Sequence, residues 1–495
     1  MIFKKKLLIV LISGILSACA VSSQSPYKLS NLPSNWSEPL PSTQPHNGKL
    51  TDLKNWWQQF NDTQLSQLIA AAETASPNIE SARALVVASQ AALVLSQAQL
   101  LPNVNAEASA SRGKNGVLFQ EGNAVSGELN ATWELDVWGK NKASKNEEQA
   151  RLAGTTAMWH EARVIVATET AKQYIHYRLC ENLRNLAEKN VESTTKTQQL
   201  SELTEKAGLL SSSAVSQVSA EAAQAMNDAK KQSLQCTLLL KSLVAVTALP
   251  EAQVREILAK NAGVIPVPES IEVTTVPAKT LQQRPDVLNA ERNVDASSFE
   301  IAYSEAKRYP RLSLNGSIGF AYDTSITDSI LNRRGNTFYD GMTWSIGPVA
   351  LSVPIFDAGV QKANIEVAKA QYKAAKSTYE SVARNAVREV EEALATLNNT
   401  ALREVNVNKA AKEFELSFKA AEMRNKASLG SLFELEQTRR LSFQAQANVL
   451  ELQKERVIAW ISLYHALGGG WTETENTLPE NTTAFIYNKQ HQITP

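Results

Sequence analysis

The chain has 495 residues, enough for one large core or several, and its 50 Lys and Arg against 50 Asp and Glu leave it with no net charge. Aromatic residues make up only 6%, while Ala, Gln, Ser, Glu and Lys fill long stretches, a composition that suits long helices. Balanced, intermixed charge excludes a field-driven nucleic-acid binder, and beyond the N-terminal segment no apolar run is long enough for a transmembrane helix, so any membrane passage falls to strands.

Lys4, Lys5 and Lys6 precede an apolar run from Leu7 to Ala18, broken only by Ser13, Gly14 and Ser17. That run is too short to span a bilayer, and residues 1–18 are predicted to be a signal peptide. Leu16, Ser17 and Ala18 lead into Cys19, an order that resembles the bacterial lipobox, in which the cysteine becomes a lipid-modified N-terminus. The alternative is a free cysteine beside an ordinary cleavage site. Ala20, where an Asp is absent, favours outer-membrane delivery by resemblance to lipoprotein sorting. Residues 19–55, rich in Pro, Ser and Asn and without a period, are predicted to be an extended tether.

Trp56 and Trp57 open the folded part. A helical pattern runs from Thr63 to Leu101 with an early break near Pro77, and Pro102 stops it. The period then changes. Val104, Ala106, Ala108 and Ala110 alternate with polar residues, and so do Val125, Gly127, Leu129, Ala131, Trp133 and Leu135, which predicts two strands of a hairpin. Trp133 and Trp138 suit either a membrane interface or packing at a sheet edge. From Gly139 to about Lys206 nothing interrupts a helix of roughly 100 Å, and a second helix returns from Ser212 to about Ala248, before Pro250. Cys180 and Cys236 stand at nearly equal distances from the turn between these helices. In an exported chain they form either a disulfide across the hairpin or two buried thiols.

The same order of events then recurs. A helix is predicted from Pro277 to Lys307, ending before Pro310. A strand follows with Leu312, Leu314, Gly316, Ile318, Phe320 and Tyr322, then a second strand from about Gly341 to Val353, a long helix from about Ala358 to Asn425 and a return helix to Leu467. Gly139, Ala207, Ser211 and Gln217 recur at one offset as Gly359, Ala427, Ser431 and Gln437. Two divergent copies are therefore predicted, residues 56–250 and 277–471, followed by a tail, 472–495. Each supplies two strands. Four strands cannot close a membrane barrel, whereas a trimer gives about 12.

Four segments carry a family resemblance: Trp133, Glu134, Leu135, Asp136, Val137, Trp138, Gly139, Lys140; Arg284, Pro285, Asp286, Val287; Pro354, Ile355, Phe356, Asp357, Ala358, Gly359; and Ala466, Leu467, Gly468, Gly469, Gly470, Trp471. In this order they resemble TolC-like outer-membrane efflux proteins, in the lipoprotein (NodT and OprM-like) branch. The resemblance implies a mainly α fold with a β-barrel part: a homotrimer whose long antiparallel hairpins form an α-barrel continuing from a short outer-membrane β-barrel of four strands per chain. It implies a passive efflux conduit in contact with outer-membrane lipid, docked to a periplasmic adaptor and an inner-membrane transporter, commonly of the resistance-nodulation-division class. A channel for type I protein secretion uses the same architecture and is the alternative. A purely structural periplasmic coiled coil is a third possibility, but it needs no alternating strands.

By the same resemblance, the closed periplasmic end is held by residues near the second hairpin's tip, here Arg424, Lys426, Glu434, Glu436, Arg439 and Arg440. Their other reading is a solvated helix face. Ala214 replaces the acidic residue usual after the first tip, and Ser428 stands where Gly208 stands in the first copy. Small residues at the tips, Ala207, Gly208 and Ser211 with Ala427, Ser428 and Ser431, suit both adaptor docking and tight turns. No catalytic, metal or cofactor site is predicted. His46, His160, His176, His465 and His491 are scattered, and Gly468, Gly469 and Gly470 follow a helix, the wrong polarity for a phosphate cradle.

Overall fold

A computed structural model of the protein describes residues 27, 36–39, 56–115, 120–268, 283–323, 341–427 and 429–470. Cys19, Ser428, Trp471, the signal peptide, most of the tether and the C-terminal tail lie outside the described residues, as does the stretch 277–282.

After a 3-10 turn, Trp56–Phe60, the elements run α1 (Thr63–Ala75), α2 (Pro77–Ala98), β1 (Asn103–Asn115), β2 (Gln120–Leu135), α3 (Lys140–Lys206), α4 (Ser212–Thr247) and α5 (Glu251–Ala259). The second copy gives α6 (Pro285–Ala306), β3 (Arg311–Asp323), β4 (Gly341–Ser352), α7 (Val360–Lys426) and α8 (Leu432–Ala466). The repeat is kept in length: α3 and α7 both have 67 residues, and α2 and α6 both have 22. Two details depart from the sequence reading. Helix α6 begins at Pro285, which has no N–H to give a helix interior and fits the first helical position; residues 283 and 284 are not helical, and the first part of the expected helix, 277–282, lies outside the described residues. The short helix α5 was not anticipated; nine residues are too few to show a period, and it follows α4 at a bend of 114°.

The chain packs as two compact units, each drawing on both copies. One is built around residues 84–155 and 289–380, the other on 29–83, 156–288 and 381–495. In the first unit the four strands form one antiparallel sheet in the order β1-β2-β3-β4. Its register sorts side chains by polarity. On one face lie rows such as Ala106, Leu129, Ile318 and Trp344, or Ala108, Gly127, Phe320 and Met342. The opposite face carries Asn105, Asn130, Ser317 and Ser345 in one row, and Ser109 and Ser126 are hydrogen-bonded at 2.8 Å. A Cβ on Gly127 would lie 2.5 Å from Phe320 Cε1, so any larger residue there would have to displace that ring. Within one chain the apolar face is uncovered: Trp344 is 74% and Ile346 83% exposed.

Each strand pair hands over to its long helix through an aspartate. Asp136 Oδ1 and Oδ2 accept from the amides of Asn141 and Lys142 at 2.9 and 2.8 Å. Asp357 accepts from Gly359 and Gln361, both at 2.9 Å, and these amides hold its carboxyl below the ordinary range. The indoles sit at the same junctions. Trp133 Nε1 donates to Leu100 O at 3.0 Å, Trp138 Nε1 to Pro310 O at 2.7 Å, and Trp138 stacks on Tyr309. Both therefore pin helix-to-strand turns. In the same unit Tyr27 donates to Glu380 at 2.5 Å under the ammonium of Lys376.

The second unit holds the main core, where Trp56 stacks on Tyr464 at 4.6 Å and Leu65, Leu68, Ile175, Leu243, Leu394 and Ile461 are buried. Two buried arginines organise it. Arg178 donates to the carbonyls of Leu258 and Lys260 at 2.8 and 2.7 Å and pairs with Glu181, while Tyr174 links it to Asp62, the cap of α1. Arg284 pairs with Asp286 and Glu389, both at 2.8 Å, and donates to Ala466 O at 2.9 Å. The final glycines explain themselves here. Gly468 and Gly469 have positive φ, and a Cβ on Gly469 would lie 2.4 Å from Val164 Cγ2. Residues 37 and 38 of the tether donate to Glu391 at 2.7 and 2.9 Å, so this part of it lies on α7.

Candidate functional site

The candidate site is the far end of the two helical hairpins, in the second unit. Helix α3 ends where Gly208 takes φ +77° and lets Leu209 N reach Thr204 O at 3.0 Å. Ser211 then caps α4, its Oγ accepting from Ala214 N at 3.4 Å. The second tip repeats this logic: Leu429 N bonds Arg424 O at 2.8 Å, and Ser431 Oγ accepts from Glu434 N at 3.2 Å to cap α8. Ala207 and Ala427 occupy matching places, each donating its amide four residues back, to Leu203 and Met423. The capping serines thus serve the turns directly, whatever else they do.

Sequence reasoning missed the most exposed apolar residues of both tips. Leu209 is 79% and Leu429 80% exposed. They stand at the same offset as the matched alanines and serines, a signal the sequence did contain. Both tips therefore present a large apolar side chain to water.

Behind the second tip the six candidate charged residues separate. Glu436 and Arg439 form an ion pair at 8% and 3% exposure. Arg439 Nη2 also donates to Thr197 Oγ1 on α3 at 2.7 Å, and the guanidinium lies 5.7 Å from the Phe418 ring of α7. This one side chain therefore joins α8 to both neighbouring helices. Burial pushes the Glu436 carboxyl up, and Arg439 opposes that shift. Arg424 and Glu434 pair across the exposed second tip. Lys426 pairs with Glu422 at 3.2 Å along one helix. Arg440 is exposed and lines a groove of about 620 Å³ with Gln217, Glu221, Phe433 and Phe443.

Higher in the first hairpin a disulfide joins Cys180 to Cys236, with Cα atoms 5.5 Å apart and both residues buried. Among the described residues no three metal-ligating side chains converge. His465 faces Glu161 at 3.3 Å, and burial holds His176 below its ordinary value.

Two repeats of strand pair and long hairpin, with a sheet whose bare apolar face backs onto a polar one, define a membrane channel class of chain. Residues 68–248 and 276–469 match the model of the outer membrane efflux protein family, and the chain belongs to that family. It is 26% identical to Nodulation protein T of Rhizobium leguminosarum bv. viciae over 86% of each chain. It is 25% identical to the solvent efflux pump outer membrane protein SrpC of Pseudomonas putida, over 84% of this chain and 87% of that one. Among solved structures, the Campylobacter jejuni CmeC outer membrane channel matches with a TM-score of 0.80 at 21% identity, covering 95% of this chain and 98% of that one.

Proposed function

We propose that the chain is the outer-membrane channel subunit of a tripartite efflux pump, a passive conduit for drugs or other small molecules that carries out no covalent chemistry. The sheet carries this reading. Its apolar face needs lipid and its polar face needs water. Among the described residues the outer edges of β1 and β4 have no partner strand, so three copies closing a barrel of about 12 strands satisfy both edges. The names of the relatives, a solvent efflux pump component among them, support small-molecule efflux over protein secretion.

On the same reading, the tips with Leu209 and Leu429 dock a periplasmic adaptor, which couples the channel to an inner-membrane transporter of the resistance-nodulation-division class. The buried Glu436–Arg439 pair with Thr197 holds the periplasmic end closed, and the exposed charges of Arg424, Lys426, Glu434 and Arg440 line its approach. Cys19 carries the lipid, which assists sorting and assembly while the strands hold the protein in the membrane.

Purified protein is expected to run as a heat-resistant trimer and to conduct single-channel currents in planar bilayers; a non-conducting monomer would overturn the channel reading. A deletion strain is expected to become drug-sensitive. Unchanged susceptibility with loss of an exported protein would place the chain in type I secretion. Cys19→Ser behind a cleavable signal is expected to yield barrel trimers, and soluble periplasmic monomers would mean that the lipid alone retains the chain.

A further inference from the structure

The sheet repeats itself in its pairing as well as in its elements. Strands β1 and β3 each have 13 residues, and one offset carries Pro102 to Pro310, Asn103 to Arg311 and Ala106 to Leu314. The offset that carries Gly139 to Gly359 carries Leu129 to Val349 and Thr132 to Ser352. The register obeys both: Asn103–Thr132 and Ala106–Leu129 in the first strand pair return as Arg311–Ser352 and Leu314–Val349 in the second. At the helix-side end of the sheet, β3 and β4 are therefore β1 and β2 over again. Nearer the strand tips a register shift between Leu314 and Gly316 ends the match.

One seam between the two repeats lies inside the chain. There β2 meets β3, with Leu129, Ala131, Trp133 and Leu135 opposite Ile318, Gly316, Leu314 and Leu312. The equivalent seam joins a β4 to a β1, and among the described residues each of these strands has a free edge. Within one chain they cannot meet, because two strands stand between them and hold them about 14 Å apart.

We propose, resting on the trimeric-channel reading, that β4 of one protomer pairs antiparallel with β1 of the next in the register that β2 keeps with β3. The two offsets then set Val349, Leu351, Val353 and Ile355 opposite Ala110, Ala108, Ala106 and Val104 of the next protomer, with Ala350 opposite Ser109 and Ser352 opposite Glu107. Polarity, which played no part in that assignment, agrees with it. The first four pairs are all apolar and belong to the face of Leu129 and Ile318, while the last two belong to the face of Asn130 and Ser317. A slip of one residue would set Leu351 against Glu107 or Ser109 and mismatch every row. Size agrees as well. Strand β1 offers alanines where β4 offers Val349, Leu351 and Val353, just as Gly127 faces Phe320 in the seam already formed. Val104, Val349, Leu351 and Ile355 are all largely exposed in the single chain.

Paired cysteines in the full-length protein test the register. Leu351→Cys with Ala108→Cys is expected to give covalent dimers and trimers on denaturing gels after oxidation, and Ala350→Cys with Ser109→Cys, on the other face, to do the same. Within one chain each pair is about 14 Å apart, too far to bridge, so every new bridge joins two protomers. The native Cys180–Cys236 bridge lies inside one chain and is common to all variants. Moving the partner by two residues, as in Leu351→Cys with Ala106→Cys or with Ala110→Cys, keeps the face but widens the pair to about 7–8 Å, and crosslinking is expected to fall several-fold. Heat-resistant trimers that crosslink best through Ala106→Cys or Ala110→Cys, or through none of the pairs, overturn the register and leave the channel reading standing. Wild-type protein that runs as a monomer overturns both.

Discussion

Thr197 and Arg439 lie 242 positions apart and meet through a hydrogen bond of 2.7 Å between α3 and α8. Thr197→Val keeps the shape of the side chain and leaves the Glu436–Arg439 ion pair in place, but removes the acceptor that fastens it to α3. The hydroxyl also donates to Ser193 O at 3.1 Å, a carbonyl that keeps its place in the helix ladder, so that loss is minor. A hydrogen bond to a charged group contributes about 1.5–3 kcal/mol, and here the abandoned N–H of Arg439 is buried. Since every ~1.4 kcal/mol is tenfold, the latched-to-released ratio falls by about ten- to a hundredfold in each protomer. Planar-bilayer recordings should show a matching rise in open probability, with heat-resistant assembly unchanged and Thr197→Ser behaving as wild type. If Thr197→Val conducts like wild type, or Thr197→Ser opens the channel equally, the bond does not hold the end closed.

The remaining predictions concern docking and stability. Leu209→Ser with Leu429→Ser should leave the melting temperature unchanged, because both residues already face water, while reducing crosslinking to the adaptor; undiminished crosslinking would remove the tips from the docking surface. Arg284→Met strips two carboxylates and the Ala466 carbonyl of their partner. Since Asp286 and Glu389 are each about one-third exposed, the cost should fall near the low end for a broken buried pair, about 3 kcal/mol, read as a lower melting temperature than Glu389→Gln gives. Reduction of Cys180–Cys236, or Cys180→Ser with Cys236→Ser, should cost about 4 kcal/mol for a bridge spanning 56 residues, and an unshifted melting curve under reductant would show that the bridge adds nothing.

Much of the fold was legible because its signals are local. Pro102 and Pro310 end helices at the same place in each copy, alternation at Val104–Ala110 and Leu312–Phe320 has period two, and an unbroken run after Gly139 allows nothing shorter than a very long helix. The single offset linking Gly139, Ala207, Ser211 and Gln217 to their counterparts then fixed the hairpins' equal lengths. Where local signals were thin the reading slipped: the helix expected to run on to Lys307 is interrupted at residues 283 and 284 before α6 starts at Pro285, and α5 was too short to be seen. Asp136 and Asp357 stood in quoted motifs, yet their role as caps depends on backbone amides two to six residues on, whose directions no letter records.

At the candidate site the division is sharper. By itself the sequence determined the repeat, the four strands with an apolar and a polar face, the need for further copies to close them, and the small residues at both tips. All of these follow from periodicity and from backbone hydrogen bonds that must be satisfied. Tertiary structure alone decided which charges matter together. Glu436 and Arg439 looked no different from Arg424, Lys426, Glu434 and Arg440 as letters on a helix, and Thr197 drew no notice at all. Whether a charge is solvated or latched depends on the register of one long helix against another, and that register is set by packing summed over many distant side chains, not by the residues adjacent in the chain.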